Sequence, residues 1–315
     1  MSATEAIIQA EGLTRLFKEH RAVDALDLAI QPGELFGLVG PDGAGKTTTL
    51  RLLAGLLKIN EGEGKVAGFD LRKEAESIKP LIGYMAQEFS LYAELTVVEN
   101  LQFFSEIYNV DPTQVVERSE RLLAFAGLTE FKQRRAEHLS GGMKKKLALA
   151  CTLIHEPKIL LLDEPSTGVD PVSRREFWEI LTELNLSGTT IVVSTPYMDE
   201  ADRCARVGLI YAGHLVICDT PMAIRSELPG DLLELQPDDW RTARGLVASL
   251  PGVIQVQTYG ESLHLIVDSA EDRLPELKQA LEGNGIGYRS LRPTAPRMEE
   301  AFISLINRLE TEEGR

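Results

Sequence analysis

The stretch Gly40-Pro41-Asp42-Gly43-Ala44-Gly45-Lys46-Thr47-Thr48 decides the fold. It has the spacing of a phosphate-binding loop: glycine, four residues, glycine, lysine, then serine or threonine. The matching positions are Gly40, Gly45, Lys46 and Thr47. Residues 34–39 (ELFGLV) are a short apolar run that predicts a buried strand, and residues 47–57 (TTTLRLLAGLL) carry apolar side chains at helical spacing. The loop therefore joins a strand to a helix. Gly43 and Gly45 let the main chain close around an anion. The amides of Gly43, Ala44, Gly45, Lys46, Thr47 and Thr48 can converge on that anion as a nest. The helix N-terminus adds unpaired N–H groups and the positive end of its dipole. Lys46 supplies a point charge for the terminal phosphates, and Thr47 offers a hydroxyl to Mg²⁺. The plain alternative is a glycine-rich turn that binds nothing, and the second half of the chain counts against it.

Bulk properties narrow the class. The chain has 315 residues, room for two domains by the usual prior. With 43% apolar and 26% charged residues it has the composition of an ordinary soluble protein. No apolar run approaches the roughly 18 residues of a membrane span. The opening MSATEAIIQA has no basic region ahead of an apolar core, so no secretory signal is expected. The net charge of −15 argues against a nucleic-acid partner, which needs a basic surface, and against direct adhesion to or insertion into anionic lipid. Any membrane attachment is expected to run through a protein. Cys151, Cys204 and Cys218 lack metal-like spacing and read as reduced, mostly buried thiols.

Residues 7–36 read as an antiparallel opening in which Leu26, Leu28 and Ile30 alternate with Asp27 and Ala29. Phe17 is placed in the loop between the first two strands, and spacing alone makes it an ordinary core aromatic. Residues 62–86 hold short strands, ending with Gly83-Tyr84-Met85 ahead of Gln87. Phe89, Leu91 and Tyr92 follow in a loop with few neighbours in sequence. They are either tucked into the core or left exposed for a partner. Thr96 and Glu99 have capping-box spacing, and Asp111-Pro112 starts another helix, so residues 96–135 predict a helical insert. Ser140 caps a helix from residue 141 to about residue 155. With Gly141 and Gly142 beside it, this helix tip is a second place for an anion, or simply a cap with flexible glycines.

Residues 158–162 (KILLL) predict a strand buried on both faces, ending in Asp163-Glu164. Acids at the carboxyl end of such a strand lie near the phosphate loop in open α/β sheets. Asp163 can then bind Mg²⁺ directly or through water, and Glu164 can polarise a water in line with a γ-phosphate. Two solvated surface acids are the alternative, and the buried run before them fits that poorly. Asp170-Pro171 caps the next helix. Residues 189–193 are another buried strand, and residues 194–200 (STPYMDE) read as a cap and a helix start, with Pro196 a good first helical residue. Residues 207–211 and 215–219 form a hairpin across Ala212-Gly213. Near Leu228-Pro229-Gly230 the pattern restarts in the order βαββαβ, which predicts a small ferredoxin-like domain.

Taken together these motifs resemble the ATP-binding subunits of ABC transporters. The resemblance spans residues 5 to about 225. It rests on GPDGAGKTT (40–48), Gln87, LSGGM (139–143), ILLLDEP (159–165) and STGVD (166–170). The C-terminal part resembles the accessory domain of the drug-exporter branch through PRMEEAF (296–302). The expected architecture is an α/β P-loop NTPase fold with an antiparallel β subdomain and a helical insert at about 88–140. That unit would occupy residues 1–227, and a C-terminal α+β ferredoxin-like domain residues 228–315. The resemblance implies a head-to-tail pair in which ATP lies between one chain's phosphate loop and the other's Ser140, Gly141 and Gly142. It also implies that Phe17 stacks on adenine and that Gln87 meets Mg²⁺ and the attacking water. Residues after Gln87, with the helical insert, would meet a transmembrane permease subunit at the cytoplasmic face of the membrane.

Three positions depart from the family pattern. Asp42 replaces the usual asparagine and can still bond the turn's backbone. Met143 replaces the usual glutamine, outside the Ser-Gly-Gly contacts. Pro196 occupies the place of the switch histidine and has neither a ring donor nor a backbone N–H. Losing such a donor costs about 10²–10³ in rate. A pairing with a second, different ATP-binding chain is therefore expected, with a homodimer as the alternative.

Overall fold

The computed structural model describes residues 5–88 and 91–313. Contacts divide the chain into two units, Met1–Thr220 and Pro221–Arg315. The division falls ahead of the expected 227/228 boundary.

In the first unit, β1 (Ile8–Phe17), β2 (His20–Ile30) and β3 (Leu35–Val39) lead into α1 (Lys46–Leu53). Next come β4 (Glu61–Val66), β5 (Phe69–Asp70), α2 (Ala75–Ile78) and β6 (Ile82–Met85). The insert holds α3 (Val97–Ile107) and α4 (Pro112–Phe125), followed by α5 (Gly141–Leu153). The unit finishes with β7 (Ile159–Asp163), α6 (Pro171–Leu186), β8 (Thr190–Thr195), α7 (Met198–Ala201), β9 (Arg206–Tyr211) and β10 (His214–Asp219).

One sheet is antiparallel in the order β2-β1-β4-β5, and the other has six strands in the order β10-β9-β3-β8-β7-β6. Strands β9, β3, β8, β7 and β6 are parallel neighbours, and β10 returns antiparallel at the edge. Every residue of β3, β7 and β8 is buried. Such strands carry unbroken apolar runs because both faces are covered. β2 shows the opposite pattern, with Leu26, Leu28 and Ile30 buried and Asp27 and Ala29 exposed. The antiparallel sheet and α1 share one apolar core containing Ile8, Leu26, Leu50, Leu53 and Leu161.

The caps sit where side-chain chemistry puts them. Thr96 and Glu99 form a reciprocal capping box, Asp111 caps α4, Ser140 accepts from the Met143 amide, and Asp170 accepts from Val172 and Ser173. Two expectations are corrected. Helix α1 stops at Leu53 rather than Leu57, because Gly55 takes φ 67° and turns the chain away. Pro196 does not open a helix. The Thr195 carbonyl stays in the strand layer and accepts from Gly40 N, so α7 begins at Met198 with Tyr197 as its cap.

The second unit contains α8 (Pro221–Arg225), β11 (Asp231–Pro237), α9 (Trp240–Val247), β12 (Val253–Tyr259), β13 (Ser262–Val267), α10 (Ala270–Gly283), β14 (Tyr288–Pro293) and α11 (Met298–Glu313). Helix α8 packs on α11, which is why it groups here. The sheet is antiparallel in the order β12-β13-β11-β14, the arrangement expected of a βαββαβ chain. Leu233, Leu235, Leu263, Leu265 and Val267 form a core with Ala243 and Val247 of α9 and Leu277 and Leu281 of α10. The alternate residue His264 is also buried, and its Nδ1 lies 2.7 Å from Glu300 of α11. Glu300 also accepts from the Arg297 amide at 2.7 Å. Among the described residues no helix is long and apolar enough to cross a membrane.

Candidate functional site

The phosphate loop leaves β3 between β8 and β9, at the carboxyl ends of three parallel strands. Open parallel sheets bind ligands at this edge. Gly45 caps α1 with φ 109°, and a Cβ there would lie 2.4 Å from the Ala22 carbonyl oxygen. Neither the dihedral nor the space admits a side chain, so the loop can close only on glycine. Gly43 faces open space instead, which leaves the main chain free to meet a ligand.

The loop borders a cleft of about 350 Å³ lined by Phe17, His20, Ala22, Asp42, Gly43, Gly45, Lys46, Thr47, Thr48, Gln87 and Glu164. Lys46 is 4% exposed. Its Nζ donates to the Gly40 and Pro41 carbonyls at 2.9 and 3.0 Å and pairs with Glu164 Oε1 at 3.2 Å. Asp42 is further away, at 3.9 Å, and almost fully exposed. Ala44 is buried beneath the loop, and its carbonyl accepts from Gly213.

Asp163 is fully buried at the end of β7. A carboxylate can remain there only if its oxygens are satisfied. Oδ1 accepts from Ser194 Oγ at 2.7 Å and Thr47 Oγ1 at 3.0 Å, and Oδ2 accepts from Tyr84 OH at 3.3 Å. Glu164 follows with φ 47°, unusual for a residue with a side chain. That conformation lets its amide donate to both the carbonyl and the hydroxyl of Ser194, each at 3.1 Å. It is also the conformation in which the carboxylate meets Lys46, Gln87 Nε2 at 2.8 Å and Thr167 Oγ1 at 3.4 Å.

Phe17 ends β1 rather than lying in a loop, and it is 43% exposed at the cleft, with the Arg15 guanidinium 4.7 Å from its ring centre. The core-aromatic reading is therefore wrong. Ser140 and Gly141 are exposed and Gly142 is buried; none of the three lines this cleft. Tyr92 is about half exposed, with its ring 4.2 Å from that of Phe103, so it is no core residue. Phe89 lies outside the described residues. Cys151 and Cys204 are buried, and burial pushes the Cys204 thiol up to about 12.

Sequence reasoning missed Ser194, Tyr84 and Thr167, all bonded to the two acids. It also missed Glu200, which is 1% exposed and accepts from Ser166 Oγ at 2.7 Å and Thr195 Oγ1 at 2.6 Å. The register Asp163↔Ser194 would have flagged Ser194, but only once β7 and β8 were known to be neighbours.

The donor set suits a magnesium nucleotide. Thr47 and Asp163 are hard oxygen ligands already in contact, beside a lysine and an open nest of main-chain amides. The fold is that of a P-loop NTPase with an antiparallel subdomain and a helical insert. Residues 23–167 match the family model described as ABC transporter. The chain is 42% identical over 314 residues to the probable multidrug ABC transporter ATP-binding protein YbhF of Escherichia coli, covering 98% of this chain and 54% of that protein. It thus spans about half the length of that relative. It is 36% identical over 305 residues to the Nod factor export ATP-binding protein I of Cupriavidus metallidurans, covering 96% of this chain and 98% of that one. A solved dimer of the ATP-binding cassette MJ0796, in a post-hydrolysis state with ADP and Pi, aligns with a TM-score of 0.62 at 26% identity, over 68% of this chain and 98% of that one. The chain belongs to the family of ABC transporter ATP-binding proteins.

Proposed function

We propose that the chain binds and hydrolyses ATP to drive an export system, as a peripheral subunit at the cytoplasmic face of a membrane. The observation that carries this reading is a cleft lined by Phe17, Lys46, Thr47, Gln87 and Glu164, with the buried Asp163 bonded to Thr47. The export relatives support the direction of transport.

On this reading Lys46 and the amides of Gly43 to Thr48 hold the phosphates, with Gly40 and Asp42 shaping the turn. Lys46 exchanges its bond to Glu164 for phosphate oxygens. Phe17 stacks on adenine. Thr47, Asp163 and Gln87 hold Mg²⁺, which when bound supplies neutralising charge to the phosphates. Glu164, its backbone fixed by Ser194, orients the attacking water and takes its proton. Ser140, Gly141 and Gly142 serve the nucleotide of a second ATP-binding chain, consistent with their absence from this chain's own cleft.

Pro196 weakens the chain's own site. Its neighbours do not replace the missing donor: Thr195 Oγ1 donates to Glu200, and the Tyr197 amide donates to Thr195 at 3.0 Å. That observation supports a pairing with a different ATP-binding chain that keeps a donor there. It also favours a second reading, a nucleotide-gated clamp that does not hydrolyse ATP by itself. Affinity purification from detergent-solubilised membranes is expected to bring down both a permease and a second ATP-binding chain. Recovery of the chain alone, in every detergent that keeps other transporters intact, overturns the transport assignment.

A further inference from the structure

The nucleotide cleft shares a wall with a second cleft of about 420 Å³, whose lining includes Leu91, Ala136, Gly141, Lys144 and Lys145. Gln87 is the residue common to both. Lys145 is half-buried on α5, and its Nζ donates to the main-chain carbonyl of Gln87 at 2.9 Å. From Gln87 the contacts continue without a break. The carboxamide donates to Glu164 at 2.8 Å, Glu164 pairs with Lys46 at 3.2 Å, and Lys46 donates to the Gly40 carbonyl at 2.9 Å. A series of polar bonds therefore runs from α5 to the phosphate loop within one unit.

We propose that Lys145 is a positioning residue that fixes the backbone at Gln87 and so aims the Gln87 carboxamide into the nucleotide site. The inference rests on the reading of that cleft as a MgATP site. Its consequence is mechanical. Helix α5 begins with the Ser-Gly-Gly tip assigned to a partner's nucleotide, and its next turn carries the lysine that holds this chain's own Gln87. The lysine therefore acts on the nucleotide site through the Gln87 main chain, without itself lining the nucleotide cleft. A solvated cation with no role would show a different environment. Burial instead pushes the Lys145 ammonium below its ordinary range, while Glu164 and Asp163 hold it up.

The test measures the affinity of the full chain for a non-hydrolysable ATP analogue, with and without Mg²⁺, by titration calorimetry. Lys145→Met keeps the apolar stem and removes the donor. It is expected to weaken the Mg²⁺-dependent affinity by about tenfold, the low end of what losing a group that orients a metal ligand costs. The Mg²⁺-free affinity and the thermal midpoint should stay as in the wild type, and Lys145→Arg should restore the loss. In a Gln87→Ala background, Lys145→Met should add less than about a twofold change, because the group it aims is gone. Wild-type affinity in Lys145→Met, an additive effect in the Gln87→Ala background, or equal loss with and without Mg²⁺ overturns the proposal and leaves the nucleotide site standing. Absence of binding by the wild type removes the site itself.

Discussion

Glu164→Gln is expected to lower ATP turnover of the assembled complex by about 10²–10⁴-fold, the usual share of a general base, and to stop transport with it. Nucleotide binding should survive. Glutamine keeps an oxygen for Gln87 Nε2 and Thr167 Oγ1, and the Glu164 amide remains held by Ser194. Lys46 loses its buried counter-charge but keeps the Gly40 and Pro41 carbonyls, so its ammonium is freer to take phosphate. Phosphate release and substrate movement, measured on the same reconstituted complex, separate the two functional readings. Loss of both belongs to an energy-coupling ATPase. Transport that persists nearly unchanged belongs to a clamp whose work is done by binding alone.

Pro196→His carries the second large effect, in the opposite direction. Proline offers no N–H, the Thr195 hydroxyl is engaged by Glu200, and the Tyr197 amide is engaged by Thr195. A histidine here supplies a ring donor beside the strand end that bonds Gly40. Oxyanion donors of this kind are worth about 10²–10³ in rate, so the lone chain's hydrolysis should rise by up to that factor. The substitution is structurally mild. Helix α7 begins at Met198, so no first-turn proline is lost, and the entropic cost of removing a proline is about 0.4–1 kcal/mol at most. Equal rates in the two proteins would remove the case for an asymmetric pair.

The parts of the site that the sequence displayed are those made by local geometry. Gly40 to Thr48 reads as a loop between strand and helix because the motif, the strand and the helix are contiguous. Asp163 and Glu164 read as functional because four buried leucine or isoleucine residues of one strand run directly into them. Capping residues were legible for the same reason: Thr96, Asp111, Ser140 and Asp170 act on amides two or three residues away.

What stayed hidden depends on which strands become neighbours. Ser194 meets Asp163 only because β8 lies beside β7, and Tyr84 meets it from β6 on the other side. Lys145 and Gln87 are 58 positions apart, and no periodicity links them. Glu200 looks like one more acid in an acidic stretch, yet it is buried between the hydroxyl of Ser166, in the loop after β7, and that of Thr195, at the end of β8. Phe17 misled for a related reason. An isolated aromatic beside a strand is usually core, and only the fold shows that its ring is exposed in a cleft it shares with the phosphate loop. The helix start at Pro196 failed because the hydrogen bond from Gly40 to the Thr195 carbonyl holds the chain extended beyond the point where local preference would coil it.

Equilibrium dialysis of the chain against ATP with Mg²⁺ tests the central claim most directly, with Lys46→Ala dialysed alongside. One nucleotide retained per wild-type chain, and a loss of at least about tenfold in affinity for the variant, is the predicted result, since a buried charged contact to phosphate is removed. No retention by the wild-type chain, or equal retention by both proteins, would contradict it.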